Sequence, residues 1–332
     1  MCILLATTAH PDYELILISN RDEFLQRKTH TSCWHNDDFI LSPYDMAKEC
    51  KYNDKKVFGT WLGINKDGKI ATVLNLKLNK SLSLKQLVAP KSRGMLPFVY
   101  LSDMTEDSFA EWDGYDNFTK KYPGLQSTGD FNLFYGDVKR KQYRIMDSIG
   151  NTVSTLNSNC QYLVVSNDVF TCNGQLGELQ SNIKREGKQP CLQSKIETWG
   201  KVKLGTALLQ SLVNKSIVEK QDEDTIISEC FKLSSTCSVT VEDHCKFHQN
   251  STLPNETILV PPLRCKITDD VGTSLPIGEY YGTRSQIVIL IKRGTYEVKF
   301  AEHVIYTSDS DIKTFSPANP KETVRFDFTL NR

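Results

Sequence analysis

The chain has 332 residues, and 40 Lys and Arg balance 40 Asp and Glu, so its formal net charge is zero. That balance, with no basic cluster, excludes a dedicated grip on nucleic-acid phosphates, and an aromatic content of 10% excludes long disorder. No run approaches the roughly 18 apolar residues of a transmembrane helix, and the start Met1-Cys2-Ile3-Leu4-Leu5-Ala6 lacks the basic flank of a secretory or transit signal. Ten cysteines at irregular spacings, with no signal peptide, read as reduced thiols of a cytosolic compartment.

In chain order the predicted elements begin with a hairpin. Ile3–Thr8 is a short apolar run, His10-Pro11-Asp12 is turn chemistry, and Tyr13–Ser19 is a second strand. Four polar residues, Asn20-Arg21-Asp22-Glu23, are expected to end that buried strand. A polar stretch through Cys33, Trp34 and the charged 48–56 follows. Strands are expected at Gly59–Asn65 and Lys69–Asn75, joined by Lys66-Asp67-Gly68 with its Asp-Gly hairpin signal. Over 84–113 the spacing of Leu96, Val99, Tyr100 and Phe109 predicts helix. Phe131–Asp137, Gln142–Met146 and Tyr162–Ser166 predict strands, and Asn173-Gly174 predicts a turn. Helix is expected over 191–233, along Trp199, Val202, Leu209, Leu212, Ile226, Ile227 and Phe231. The polar segment 234–275, with Pro254, Pro261 and Pro262, predicts an irregular insertion. Ser285–Ile291 and Thr295–Phe300 around Lys292-Arg293-Gly294 form a closing hairpin. No βαβ unit repeats and no linker stands out, so one α+β domain over 1–332 is expected, with antiparallel sheets.

Cys2 stands out by position. Methionine aminopeptidase removes Met1 before a small second residue, which leaves a cysteine with a free α-amine and a thiol. Their ordinary pKa values, roughly 7.7–8.0 and 8.5, both lie near neutrality, and the amine can serve as base for the adjacent thiol. Pairing of 3–8 with 13–19 returns Arg21 and Asp22 beside Cys2, where a guanidinium favours thiolate. Cys237, His244, Cys245 and His248 match no standard zinc spacing, so no metal is expected. Gly59-Thr60-Trp61-Leu62-Gly63 lacks the Lys-Ser/Thr ending of a phosphate loop; its glycines suit close backbone approach.

Several motifs occur together in order: Met1-Cys2-Ile3, Asn20-Arg21-Asp22-Glu23-Phe24, Gly59-Thr60-Trp61-Leu62-Gly63-Ile64, Leu74-Asn75, Ser92-Arg93-Gly94, Phe131-Asn132-Leu133 and Tyr281-Gly282-Thr283-Arg284. Across essentially the whole chain they resemble the NRDE family, also called the transport and Golgi organisation protein 2 family, in a fungal-type form. The resemblance implies a four-layer αββα sandwich of the N-terminal-nucleophile hydrolase type. It is similar to the cysteine branch that includes bile-salt hydrolases, penicillin V acylases and acid ceramidase. By that resemblance Cys2 is the nucleophile and Arg21 the cation beside its thiolate. Asn75 and Asn132 are the oxyanion donors, and Arg284 is a second cation in the pocket. Asp22 departs from the acylases, whose Asp stands three positions after the Arg; here Phe24 holds that place.

The family further implies intracellular handling or trafficking of a small hydrophobic ligand, haem or an acyl-lipid such as acyl-CoA. The alternative is a cysteine amidase, acylase or thioesterase working through Cys2. No cofactor is required, haem being a carried ligand. His10, His30, His35, His244, His248, His303 and five Met are available axial ligands, outside any diagnostic haem motif. The expected location is cytoplasmic, with mitochondrial or Golgi association and transient membrane contact.

Overall fold

A computed structural model describes residues 2–76, 91–104, 109–168, 170, 199–238, 253–264 and 278–331. In chain order its strands and helices are β1 (Ile3–Thr7), β2 (Tyr13–Phe24), β3 (Thr29–His35), β4 (Ile40–Asp45), β5 (Glu49–Tyr52), β6 (Lys55–Phe58), β7 (Leu62–Asn65), β8 (Lys69–Asn75), α1 (Met95–Ser102), α2 (Gly114–Lys121), β9 (Phe131–Asp137), β10 (Gln142–Asp147), β11 (Thr152–Thr155) and β12 (Tyr162–Val165). They continue with α3 (Gly200–Val218), α4 (Glu223–Ser234), β13 (Leu263–Arg264), β14 (Tyr280–Lys292), β15 (Glu297–Val304) and β16 (Glu322–Thr329). Within the single domain expected over 1–332, the chain gathers into two compact units. One comprises the N-terminal residues to Thr31, Tyr162–Val164 and Trp199–Phe328; the other comprises Ser32–Gln161, Val165–Thr198 and Thr329 onward.

In the first unit the strands run in the order β12-β1-β2-β14-β15-β16, with β13 on β14. The ladders β1–β2, β2–β14 and β14–β15 are antiparallel. On one face Ile3, Leu5, Ile16, Ile18, Val288 and Leu290 pack with Leu209, Leu212 and Val213 of α3 and Ile226, Cys230 and Phe231 of α4. Each such side chain contributes about 1.5–3 kcal/mol on burial. Leu4, Leu15, Leu17, Ile287 and Ile289, on the opposite face, are buried as well. Burial of both faces explains why these strands read as unbroken apolar runs rather than as alternation. α3 lies close on the sheet at Gly205, where an added Cβ would come 3.0 Å from Leu5 Cδ2. α4 is started by Asp222, whose carboxylate accepts from the Thr225 amide at 2.8 Å.

In the second unit the order is β11-β10-β9-β8-β7-β4-β3, with β5–β6 a separate hairpin. Ala71, Val73, Phe131, Leu133 and Tyr135 form its core with Leu96, Val99 and Tyr100 of α1, Trp112, and Phe118 of α2. Gly59 and Gly94 meet for a steric reason: a Cβ on Gly59 would lie 2.7 Å from the Gly94 carbonyl carbon, and Thr60 N–H donates to Gly94 O at 3.0 Å. The chain is thus α+β, with two large sheets, each packed against helices of its own unit.

Three expectations need correction. β2 does not stop at Ser19 but runs to Phe24, with Asn20, Arg21 and Asp22 buried. The polar side chains are tolerated because they are bonded; Asn20 Nδ2 donates to Ser234 O at 2.8 Å and Ile258 O at 3.0 Å. The polar stretch 29–58 forms β3 to β6, with Asn53 and Asp54 both at positive φ in the β5–β6 turn. Part of the expected irregular insertion is packed: Leu253–Glu256 is a helical turn, Ile258 and Val260 are fully buried, and Leu263–Arg264 pairs with β14. The expected helix at 84–90 and 191–198, the turn at Asn173-Gly174, and His244, Cys245 and His248 lie outside the described residues. No helix among the described residues is long and apolar enough to cross a membrane.

Candidate active site

Cys2 stands one residue before β1, and Ile3 pairs with Asn20 of β2. Extending that ladder by one residue sets Cys2 opposite Arg21, and residues directly opposite share a face. Ile3 faces the helices, so Cys2 and Arg21 belong to the other face. The half-buried Cys2 Sγ lies 3.8 Å from the Asp22 carbonyl oxygen, in donating geometry. The Tyr281 hydroxyl donates to the same oxygen at 3.1 Å, so thiol and phenol meet at one backbone carbonyl. Burial pushes the Cys2 thiol up, the Asp22 charge adds to the rise, and Arg21 opposes it. Burial, with Asp22 and Cys2 next, holds the Tyr281 phenol well above its ordinary range, so it stays neutral. Arg21 is itself buried and lies 3.7 Å from the Glu23 carboxylate.

The Asp22 carboxylate, one residue further along β2, turns to the helix side. Thr283 Oγ1 donates to its Oδ1 at 2.5 Å, and Lys201 Nζ stands 4.0 Å from its Oδ2, both side chains being fully buried. Lys201 comes from the first turn of α3, on the same stripe as Gly205, Leu209, Leu212 and Ser216. Burial pulls the Lys201 ammonium down, while Asp22 and Cys2 pull it back up. Thr283 also accepts from Val260 N–H at 2.9 Å, which ties the 258–260 segment to the site.

Between the pairs Thr283↔Asp22 and Ser285↔Arg21 the register of β14 slips by one, leaving Arg284 as the extra residue of a bulge. Arg284 Nη1 donates to Arg27 O at 2.5 Å and to Thr29 Oγ1 at 3.1 Å, and Nε donates to Tyr306 O at 3.3 Å. Its guanidinium fastens two loops to β14. It also lines a cavity of about 300 Å³ with Thr29, His30, Ser285, Glu302 and Tyr306.

Asn75 and Asn132 belong to the second unit. Asn132 pairs with Leu74 and Asn75 with Phe131, so strand alternation sends the two amides to opposite faces. Asn132 Nδ2 donates to Ser166 O at 3.0 Å and Asp168 O at 2.7 Å. Both of its N–H groups are therefore engaged, and the side chain in this state is a tie between backbone segments rather than an oxyanion donor. Asn75 is exposed, and its backbone carbonyl accepts from Asn167 Nδ2.

Of the histidines, His10 accepts from Asp12 N–H through Nδ1. His303 stacks on Phe231 at 3.6 Å between ring centroids, and His35 Nε2 meets Ser42 Oγ at 2.6 Å. Among the described residues no group of three or more His, Cys, Asp or Glu is placed to hold a metal ion.

Cys2, Arg21 and Asp22 are brought together as expected from the hairpin. Lys201, Thr283 and Tyr281 complete the constellation without having been singled out for it. Thr283 and Tyr281 lay inside a motif whose weight had gone to Arg284. Lys201 carried one readable signal, a lysine at the head of an apolar stripe in steps of three and four.

Comparison with known proteins bears on this arrangement. A profile of the family described as Transport and Golgi organisation 2 matches residues 1–307. The chain is 48% identical over 338 residues to the Saccharomyces cerevisiae protein YGR127W, described as uncharacterized, covering 99% of this chain and all of that protein. It is 35% identical over 133 residues to the Transport and Golgi organization 2 homolog of Mus musculus, covering 38% of this chain and 44% of the mouse protein. Similar solved structures include a Caenorhabditis elegans ortholog of N-acylethanolamine-hydrolyzing acid amidase (10% identity, 87% of this chain, 92% of that one, TM-score 0.37). Another is the conjugated bile acid hydrolase of Clostridium perfringens (11% identity, 100% of this chain, 99% of that one, TM-score 0.37). On the profile match and the near-complete fungal relative, the chain belongs to the Transport and Golgi organisation 2 family.

Proposed function

We propose that the chain is a cysteine-dependent hydrolase of amide or thioester bonds, with Cys2 as nucleophile. The observation that carries the reading is the half-buried Cys2 thiol at the open end of β1, opposite a buried Arg21 and sharing the Asp22 carbonyl with a neutral Tyr281. Once Met1 is gone, the α-amine takes the thiol proton and the thiolate adds to the substrate carbonyl carbon. Tyr281 O–H can turn from Asp22 O toward the developing oxyanion. Collapse of the tetrahedral adduct expels the amine or thiol, which leaves with the proton held on the α-ammonium. Water, deprotonated by the same amine, then hydrolyses the acyl-thioester.

Non-catalytic carriage of haem or an acyl-lipid is the second reading, and one observation favours it. The Asn132 side chain that should polarise an oxyanion spends both N–H groups on backbone carbonyls, so a pocket on this scaffold can hold a ligand without turning it over. Paired assays on wild type and Cys2→Ala separate the two. For a hydrolase, turnover of a panel of acyl-amides and acyl-thioesters falls by several orders of magnitude, while ligand binding survives. For a carrier with thiolate ligation, haem titration loses its Cys2-dependent spectrum instead. A mutant unchanged in both assays removes Cys2 from the function.

A further inference from the structure

β16 ends its sheet: β15 lies on one side of it, and among the described residues no strand pairs with its outer edge. Its eight residues, Glu322–Thr329, alternate polar and apolar from Thr323 onward. Arg325 and Asp327 stand on the face toward α4, where Arg325 reaches Asp224 at 2.6 Å and Lys299 reaches Asp327 at 3.0 Å. Val324, Phe326 and Phe328 stand half-buried on the other face, where Phe326 meets Phe300 edge to face at 6.3 Å between ring centroids. An outer strand of this length with an apolar face is a template for another strand. The remaining outer strands are poorer templates. β11 and β12 have four residues each, and β3, Thr-His-Thr-Ser-Cys-Trp-His, carries no Lys, Arg, Asp or Glu to set a register.

The strand is complementary to itself. Laid antiparallel against a second copy and centred on Phe326, it sets Arg325 opposite the partner's Asp327 and Asp327 opposite the partner's Arg325. On the other face Phe326 meets the partner's Phe326, and Val324 meets the partner's Phe328. Opposite charges and apolar side chains in directly opposed positions are the stabilising cross-strand combinations. Neighbouring registers lose them. Centring on Arg325 or on Asp327 sets that charge against its own copy. Centring between two residues turns the apolar face of one strand against the charged face of the other, and centres further out shorten the ladder. We propose that β16 is a self-pairing edge: two copies of the chain join there about a two-fold axis, antiparallel and in the register centred on Phe326, so that their sheets become one. The contact is isologous and closes at two copies.

Sedimentation equilibrium of the full chain over a concentration series reads this contact as mass. One strand from each copy places it at the weak end of specific interfaces, with a dissociation constant on the order of 10 µM. Wild type should therefore approach the mass of two chains by about 100 µM, and go no higher. Arg325→Asp and Asp327→Arg each turn both symmetry-related charge pairs repulsive, and each should weaken the dimer about tenfold or more. The ion pairs they remove within one chain, to Asp224 and Lys299, lie at the surface, where a single pair contributes little to stability, so both variants fold. The chain carrying both changes has its charges exchanged and should dimerise as wild type does. A one-to-one mixture of the two single variants sets Asp against Arg at both positions, and should form mixed dimers that neither variant forms alone. A wild-type chain that stays single at that concentration overturns the proposal, as does growth past two copies, which marks a head-to-tail contact with another edge such as β12. So does a dimer indifferent to both single changes, or a mixture that fails to associate where wild type dimerises.

Discussion

Thr283 shows how much rests on single side chains near Cys2. Its hydroxyl donates to a buried carboxylate and accepts from a buried amide, Asp22 Oδ1 and Val260 N–H. Thr283→Val keeps the shape and leaves both partners buried without it. A hydrogen bond to a charged group is worth about 1.5–3 kcal/mol, and an orphaned buried amide adds about 1–3, so urea unfolding should show a loss of about 2.5–6 kcal/mol; a loss under about 0.5 would mean that the contact is incidental. The identity of this residue was on view in Tyr281-Gly282-Thr283-Arg284, but its duty was not. A threonine in a strand is ordinary, and only the antiparallel register against Asp22 makes it a partner. The same limit hid Lys201. Its position on the apolar stripe was legible, whereas its reason for being there is a carboxylate far away in sequence. Cys2 could be singled out because the chemistry proposed for it follows from its place in the chain and needs no partner to announce it.

The β10–β11 hairpin carries a pH dependence of its own. Its turn is closed by Asp147, whose carboxylate accepts from the Ile149 and Asn151 amides at 2.9 and 3.0 Å and from Asn151 Nδ2 at 2.7 Å, with Gly150 at φ +99°. Burial nevertheless pushes Asp147 up to about 6, against the pull of those hydrogen bonds. A carboxyl raised on folding binds its proton more tightly in the folded state. Its contribution is therefore full below about 4 and is lost as pH rises through about 6. On the scale of about 1.4 kcal/mol per pH unit, wild type should lose roughly 2–3 kcal/mol from this group between pH 4 and 7. Asp147→Asn should flatten that slope, because a turned Asn151 amide can offer its oxygen to the new N–H₂. Equal slopes in wild type and variant, measured by urea midpoints across that range, would sink the assignment. At this scale the strands with strong apolar runs were readable, since 3–7, 62–65, 69–75, 131–137 and 297–304 are elements where expected. Of those that escaped, β3, β5, β6, β11 and β16 are short or half exposed, so burial contributes little to their pattern, while β4 is buried but interrupted by Ser42 and Pro43. β2 was cut short for the opposite reason, because its polar end is stabilised by partners that periodicity does not contain.

For the molecule as a whole, the site depends on where the chain starts. β1 lies between β12 and β2 in its sheet, so Cys2 sits at the end of an interior strand. The first residues pair with Asn20 and its neighbours, while Lys201, Tyr281 and Thr283 arrive from far along the chain. The fold class was legible because family motifs run from Met1 to Arg284. The assembly of the site was not, because each unit is built from separated segments that cross between them in sequence. This placement yields a test at the level of the intact chain. When Met1 or any longer extension remains, the nitrogen of Cys2 is an amide, which has no basic lone pair and takes no proton from the thiol. The thiol is already pushed up by burial, so it remains protonated near neutrality and the nucleophile is not formed. The intact mass of active material should therefore lack Met1 alone. A chain carrying an uncleaved N-terminal extension should unfold at nearly the temperature of the processed chain, because the extension adds no buried contact. On the acyl panel, however, it should be slower by several orders of magnitude. Proteolytic removal of the extension to expose Cys2 should restore turnover in the same sample, which rules out damage during preparation as the cause. An extended chain that turns over as fast as the processed one would show that no free amine takes part, and the hydrolase reading would fail with it.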